Sequence, residues 1–260
     1  MYVDIDMDRE WYMPFDLEAR VVFVTGSARR VGRAIAMAFV DQGANLVIHH
    51  ASPGSADQAR SAVEEITSQG LDAIVVTGDQ SDPEEVARIF EEIRDYYGRL
   101  DVMVNSAAIL KRTELLDVTY DEWKRVLDVN LTGPFLLTQQ AARLMIETDT
   151  AGVIINISDN SGLNPWPAYP HAGVSKAGLV MLTKVASLAL APHDIRVNCV
   201  VPGPVLAPPD KERVFERIVE QLPLGRAGSP ADVGHACVFL AQNDFATGTI
   251  LRVDGGEGIA

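Results

Sequence analysis

The chain has 260 residues, 47% of them hydrophobic and 22% charged, which suits a large buried core and excludes a disordered or fibrous protein. Its 22 Lys and Arg against 36 Asp and Glu leave a formal charge of −14, which repels nucleic acid and anionic membrane. Two cysteines, Cys199 and Cys237, lie far apart in apolar runs, so no disulfide framework or metal site is expected and a reducing, cytoplasmic setting fits. Asp4, Asp6, Asp8 and Glu10 stand where a signal peptide needs a basic start, and no stretch approaches about 18 uninterrupted apolar residues.

Residues 1–20 read as an acidic extension, with Trp11, Tyr12 and Phe15 as packing anchors. Val21-Val22-Phe23-Val24, closed by Thr25-Gly26, predicts a buried strand and a tight turn. Small and apolar residues from Ala34 to Phe39, stopped by Gly43, predict a helix. Strand signals return at 45–49, 73–77, 102–104, 153–157, 195–200 and 250–253. Between them Ala59, Ala62, Val63 and Ile66 share one helical face, and Val86, Ile89, Phe90, Ile93 and Tyr97 share another. Longer helices are expected at about 121–145 and 174–191, and a lid rich in proline at about 204–224. Apolar strands alternating with amphipathic helices predict an α/β fold, a single doubly wound domain over 21–260 with a seven-stranded parallel sheet.

The turn Thr25 to Gly32 sits between the first strand and the first helix, where backbone N–H groups can hold a pyrophosphate, as in a Rossmann domain. Asn105-Ser106-Ala107-Ala108 follows the fourth strand, Asn130 lies inside a helix, and Ser175-Lys176 opens another. Pro202-Gly203 follows the sixth strand and Val253-Asp254-Gly255-Gly256 closes the seventh. Together these resemble the short-chain dehydrogenase/reductase family from about residue 17 to 256.

That resemblance implies an oxidoreductase with a nicotinamide cofactor, a small-molecule substrate and a homo-oligomer, tetramer or dimer, built through the long helices. It assigns cofactor contacts to Gly26, Ser27, Arg29, Arg30, Val31, Gly32, His50, Ser52, Asp79, Gln80, Asn105, Ala107, Lys176, Pro202, Gly203 and Val205. Asp79 matches the acid that meets the adenine amino group, although a lone Asp at a strand end can equally cap a helix. NAD-preferring Rossmann domains carry a carboxylate after the second strand; here that strand runs into His49-His50-Ala51-Ser52, with no acid until Asp57. Ser52 can donate to a phosphate and Arg29 and Arg30 add positive charge, so NADPH is expected rather than NADH.

Three positions depart from the family pattern. Arg30 replaces the middle glycine of the turn, Asp159 stands where a catalytic serine is usual, and Ala207 replaces a common threonine. The first two are similar to pteridine reductases, which implies hydride delivery to a C=N or C=O carbon; reduction of 3-oxoacyl or other ketone substrates is the alternative. The largest departure is at the proton donor. The family places a Tyr four residues before the lysine, and here Ala172 precedes Lys176 by that spacing while Asp159 and Asn130 keep theirs. Alanine has no exchangeable proton, and losing a positioned acid costs roughly 10²- to 10⁴-fold in rate. Three readings stay open: an engineered loss of the phenol, a natural protein that binds cofactor without turnover, or an acid supplied by Tyr169, His171 or a protonated Asp159 through water.

Overall fold

The computed structural model describes residues 15–207 and 212–260. Trp11 and Tyr12 lie outside them, as do four positions of the expected lid. The described residues run β1 (Val21–Val24), α1 (Arg30–Val40), β2 (Asn45–His50), α2 (Ala56–Ser68), β3 (Ala73–Thr77), α3 (Pro83–Tyr97) and β4 (Val102–Asn105). They continue with α4 (Tyr120–Leu127), α5 (Gly133–Glu147), β5 (Val153–Ile157), α6 (Pro170–Leu190), β6 (Arg196–Pro202), α7 (Glu212–Glu220), α8 (Pro230–Gln242) and β7 (Ile250–Val253).

All seven strands are parallel, in the order β3-β2-β1-β4-β5-β6-β7. Alternate residues of each strand face opposite layers. Val22 and Val24 enter one core with Ile35 and Phe39 of α1 and Val233 and Leu240 of α8. Val21 and Phe23 enter the other with Ile89 and Phe90 of α3 and Leu137 of α5. The order reverses between β1 and β4, so their carboxyl ends open the crevice where a doubly wound sheet binds its ligand. Ahead of β1, Leu17 is buried in the first core and Phe15 N donates to Gln242 O at 3.1 Å, which ties the end of the acidic lead-in to α8.

Two helix expectations change. The single helix expected at about 121–145 is interrupted by a π-helical turn, Asp128–Thr132, between α4 and α5. Gly133-Pro134 follows; proline offers no N–H to the ladder, and the widened turn absorbs the break. Helix α6 begins at Pro170, the position that tolerates proline best, so Ser175 and Lys176 sit in its second turn rather than opening it. The stretch Pro170–His193 is long and apolar enough by length and composition to cross a bilayer, although Lys176 and Lys184 interrupt its apolar run; in the fold Leu179, Val180, Thr183 and Ala186 pack it inward.

Candidate active site

The β1–α1 turn is shaped by close backbone approach. Gly26 has φ +68°, and a Cβ there would stand 3.1 Å from the Ala107 Cβ. A Cβ on Gly32 would meet the Gly26 carbonyl oxygen at 2.4 Å, so the helix can enter this closely only without a side chain. Arg30, the residue in place of the middle glycine, adopts φ +56°. A side chain in that left-handed region costs roughly 1–2 kcal/mol, a backbone conformation that glycine adopts more readily. Ser27 points inward: its Oγ donates to Val24 O at 2.7 Å and accepts from His49 N at 3.0 Å.

His49 has a structural role that its sequence position does not announce. Its Nδ1 accepts from Gly26 N at 3.0 Å and its Nε2 meets Gly78 O at 2.9 Å, which fixes the neutral tautomer with the proton on Nε2. Burial lowers its pKa to about 4. The imidazole thus pins the β1–α1 turn to β2 and to the end of β3. The only sequence signal was the His49-His50 doublet. His50 itself is held at both nitrogens, Nδ1 near Ser52 O and Nε2 near Thr77 Oγ, each at 3.0 Å.

Arg29, Arg30, Gly32, Ser52, Asp79 and Ala107 line one cleft of about 400 Å³ at the sheet reversal. Arg29 and Arg30 are exposed and form no ion pair among the described residues. Asp79 caps no helix; Asp82 caps α3. Burial would raise the Asp79 pKa, but hydrogen bonds from Ser81 and the Arg125 guanidinium at 2.8 Å hold it below the usual carboxylate value. Gln80 donates to Ala107 O and Val129 O, and its Oε1 is buried without a partner. Asn105 is drawn into the sheet, donating to Asn156 Oδ1 at 2.8 Å. Gly203 and Val205 line a different cavity of about 430 Å³ with Arg226 and Asp254, because the chain after β6 turns to β7 and Gly203 N donates to Val253 O.

Across the sheet, Asp159 follows β5 and its Oδ1 accepts from Ser161 N at 2.9 Å and from Ser161 Oγ. A Cβ on Gly162 would lie 2.8 Å from the Lys176 backbone, so this turn sits directly on α6. Lys176 is 6% exposed and its Nζ donates to Ile157 O at 2.7 Å. Burial lowers the ammonium pKa, while Asp159 opposes that shift. Asn130, in the π turn, accepts from Ile109 N at 2.8 Å and donates to Ile109 O and to Ser175 Oγ. Ser175 in turn donates to Ala172 O at 2.7 Å.

Ala172 is 1% exposed, so its Cβ faces packed neighbours. His171 is fully buried, with Nδ1 accepting from Ala172 N and Nε2 2.8 Å from Glu122 Oε1. Both ring nitrogens are therefore occupied by protein partners. Glu122, with no signal in the sequence, is ionised at neutral pH: Lys111, Thr113 and His171 hold its pKa down to about 2. Tyr169 belongs to an apolar groove of about 460 Å³ with Trp166, Leu163 and Val174.

Residues 26–257 match the family model described as enoyl-(acyl carrier protein) reductase. The chain belongs to the short-chain dehydrogenase/reductase family, whose members are oxidoreductases. It is 35% identical over 243 residues to a 3-oxoacyl-[acyl-carrier-protein] reductase of Synechocystis, covering 92% of this chain and 97% of that protein. It is also 37% identical to a 3beta-hydroxysteroid dehydrogenase of Eggerthella lenta, covering 93% and 94%. Among solved structures, a blue fluorescent protein from a metagenomic library in complex with NADPH superposes with a TM-score of 0.86 at 31% identity, covering 95% of this chain and all of that one.

Proposed function

We propose that this reductase fold uses NADPH to reduce a C=O or C=N carbon of a small substrate. The observation that carries the reading is the β1–α1 turn. Two arginines without carboxylate partners among the described residues face a cleft whose β2 edge ends in His50 and Ser52 rather than an acid. Such a lining suits a 2′-phosphate and disfavours nothing in NADPH. The residues fit the cofactor in shape as well, since Gly26 and Gly32 leave the backbone open where a Cβ would intrude. When bound, the nicotinamide supplies a hydride. Lys176 would hold its ribose, and Asp159, whose Oδ2 has no protein partner among the described residues, would orient the substrate. In the pteridine-reductase-like version of this reading, Arg30 and Asp159 are the supporting residues.

The 35% identity to a 3-oxoacyl reductase favours a second reading, reduction of a ketone. The net charge of −14 opposes docking of an acidic carrier, so a free ketone or thioester is the form to try. The long helices also point to self-association. Along α6 the residues Val174, Met181, Val185 and Leu188 are exposed on one face, the kind of surface a second copy would cover. Light scattering reads that directly.

Calorimetric titration with NADPH and NADH, followed by turnover on pterin and 3-oxoacyl substrates, tests the whole reading. NADPH should bind at least about tenfold more tightly. Equal affinities remove the phosphate assignment, and the substrate class that turns over separates pterin from ketone. Binding without turnover supports a cofactor-binding protein whose chemistry ended with the phenol.

A further inference from the structure

Beside the turn that presents Asp159, one buried amide is only half satisfied. Asn160 is 1% exposed; its Nδ2 donates to Glu257 Oε2 at 2.5 Å, yet its Oδ1 has no partner among the described residues. Glu257 arrives from the far end of the chain, just after Val253-Asp254-Gly255-Gly256, on a short 3₁₀ turn, Glu257–Ile259. We propose that Glu257 is a positioning residue for the reaction: its carboxyl group pairs face to face with the Asn160 amide and fixes the turn carrying Asp159. The proposal rests on the reductase reading, because Asp159 matters only if a substrate meets it.

The chemistry selects the uncharged acid. A carboxylate can only accept, so it satisfies Nδ2 and leaves Asn160 Oδ1 orphaned at the full desolvation cost of a buried acceptor. A carboxylic acid accepts with one oxygen and donates with the other, which satisfies both ends of an amide. The surroundings agree. Asp254, whose oxygens accept from Gly256 N and Gly258 N, lies on the β7 side, and Asp159 lies beyond Asn160. Of the positive groups around this segment, Arg252 packs over Gly258 and Lys176 on α6 interacts with Asp159, and neither reverses the effect of burial on Glu257. Burial, then the charges of Asp254 and Asp159, raise the Glu257 pKa, with Asn160 opposing. A carboxyl whose pKa is raised by folding is held protonated below its folded value, and the contact weakens as pH rises through that value.

Glutamine is the neutral mimic of a protonated glutamate, and this makes the proposal testable. Glu257→Gln should keep the substrate KM of the unmodified chain at low pH and hold it there as pH rises from about 4 to about 8. The unmodified chain should lose affinity over part of that range. Glu257→Ala should raise KM about tenfold with NADPH affinity unchanged, the scale of a buried hydrogen bond. A Gln variant that behaves like the Ala variant, or an Ala variant with unchanged KM, overturns the proposal. Carbon-13 NMR titration of the Glu257 carboxyl supplies a readout independent of turnover: a carboxyl already ionised at the pH of an unperturbed glutamate rules out the pair. If NADPH binds and no substrate turns over, the reductase reading fails, and the NMR titration still decides whether Glu257 and Asn160 pair.

Discussion

At the β1–α1 turn the chain is shaped by its backbone: Gly26 and Gly32 allow contacts that no Cβ permits, and Arg30 is held at φ +56°. At the start of α6 the architecture rests instead on buried side chains, with Lys176, Asn130, Ser175 and His171 each satisfied by a specific partner. The two ends therefore differ in what a substitution can do. The β1–α1 turn carries exposed side chains at Arg29 and Arg30 and has no room for an added carbon at Gly32. The start of α6 packs Ala172 among satisfied neighbours, and the helix forms with no aromatic ring at that position.

The largest effect should come from the backbone-controlled end. Gly32→Ala puts a methyl 2.4 Å from the Gly26 carbonyl, and calorimetry should find NADPH binding weakened at least about 1,000-fold. Retained affinity would mean that the turn can open without cost. Next, Ala172→Tyr should raise turnover about 100-fold by restoring a positioned acid beside Lys176, and Lys176→Ala on that background should abolish the gain. Because Ala172 is 1% exposed, the ring must displace neighbours, and thermal unfolding should report a loss of about 1–3 kcal/mol. Normal NADPH binding with no gain on any substrate would leave the chain a binder.

A smaller effect tests His49, which links the turn to the sheet. Its folded pKa of about 4 lies below the ordinary 6.5, so its contribution is complete above about 6.5 and is lost as pH falls towards 4. Denaturant titrations should lose about 2 kcal/mol over that interval in the unmodified chain. A His49→Gln variant should be flat there, and an equal loss in it would assign the effect to other groups. The smallest change is Arg30→Gly, which should stabilise the fold by about 1 kcal/mol by relieving the left-handed residue while weakening NADPH more than NADH. Unchanged discrimination between the two cofactors would take Arg30 out of phosphate recognition.

The alternation of wholly apolar strands with amphipathic helices was enough to determine the seven-stranded parallel sheet, because a strand buried on both faces leaves no polar alternation and each parallel crossover needs a helix. The glycine turn, Asp159 and the Ala172–Lys176 spacing could be located as well, since each is local in sequence, but the roles given to them rest on the family resemblance. Tertiary structure alone decided which long-range partner each polar group met. It turned Asn105 and Ser27 inward, closed both nitrogens of His171 against Glu122 and the backbone, sent Gly203 and Val205 to a different cavity, and brought Glu257 to Asn160 across 97 residues. Hydrogen bonds of that kind depend on where the packed layers place two distant segments, and neither segment carries a mark of the other in its own composition.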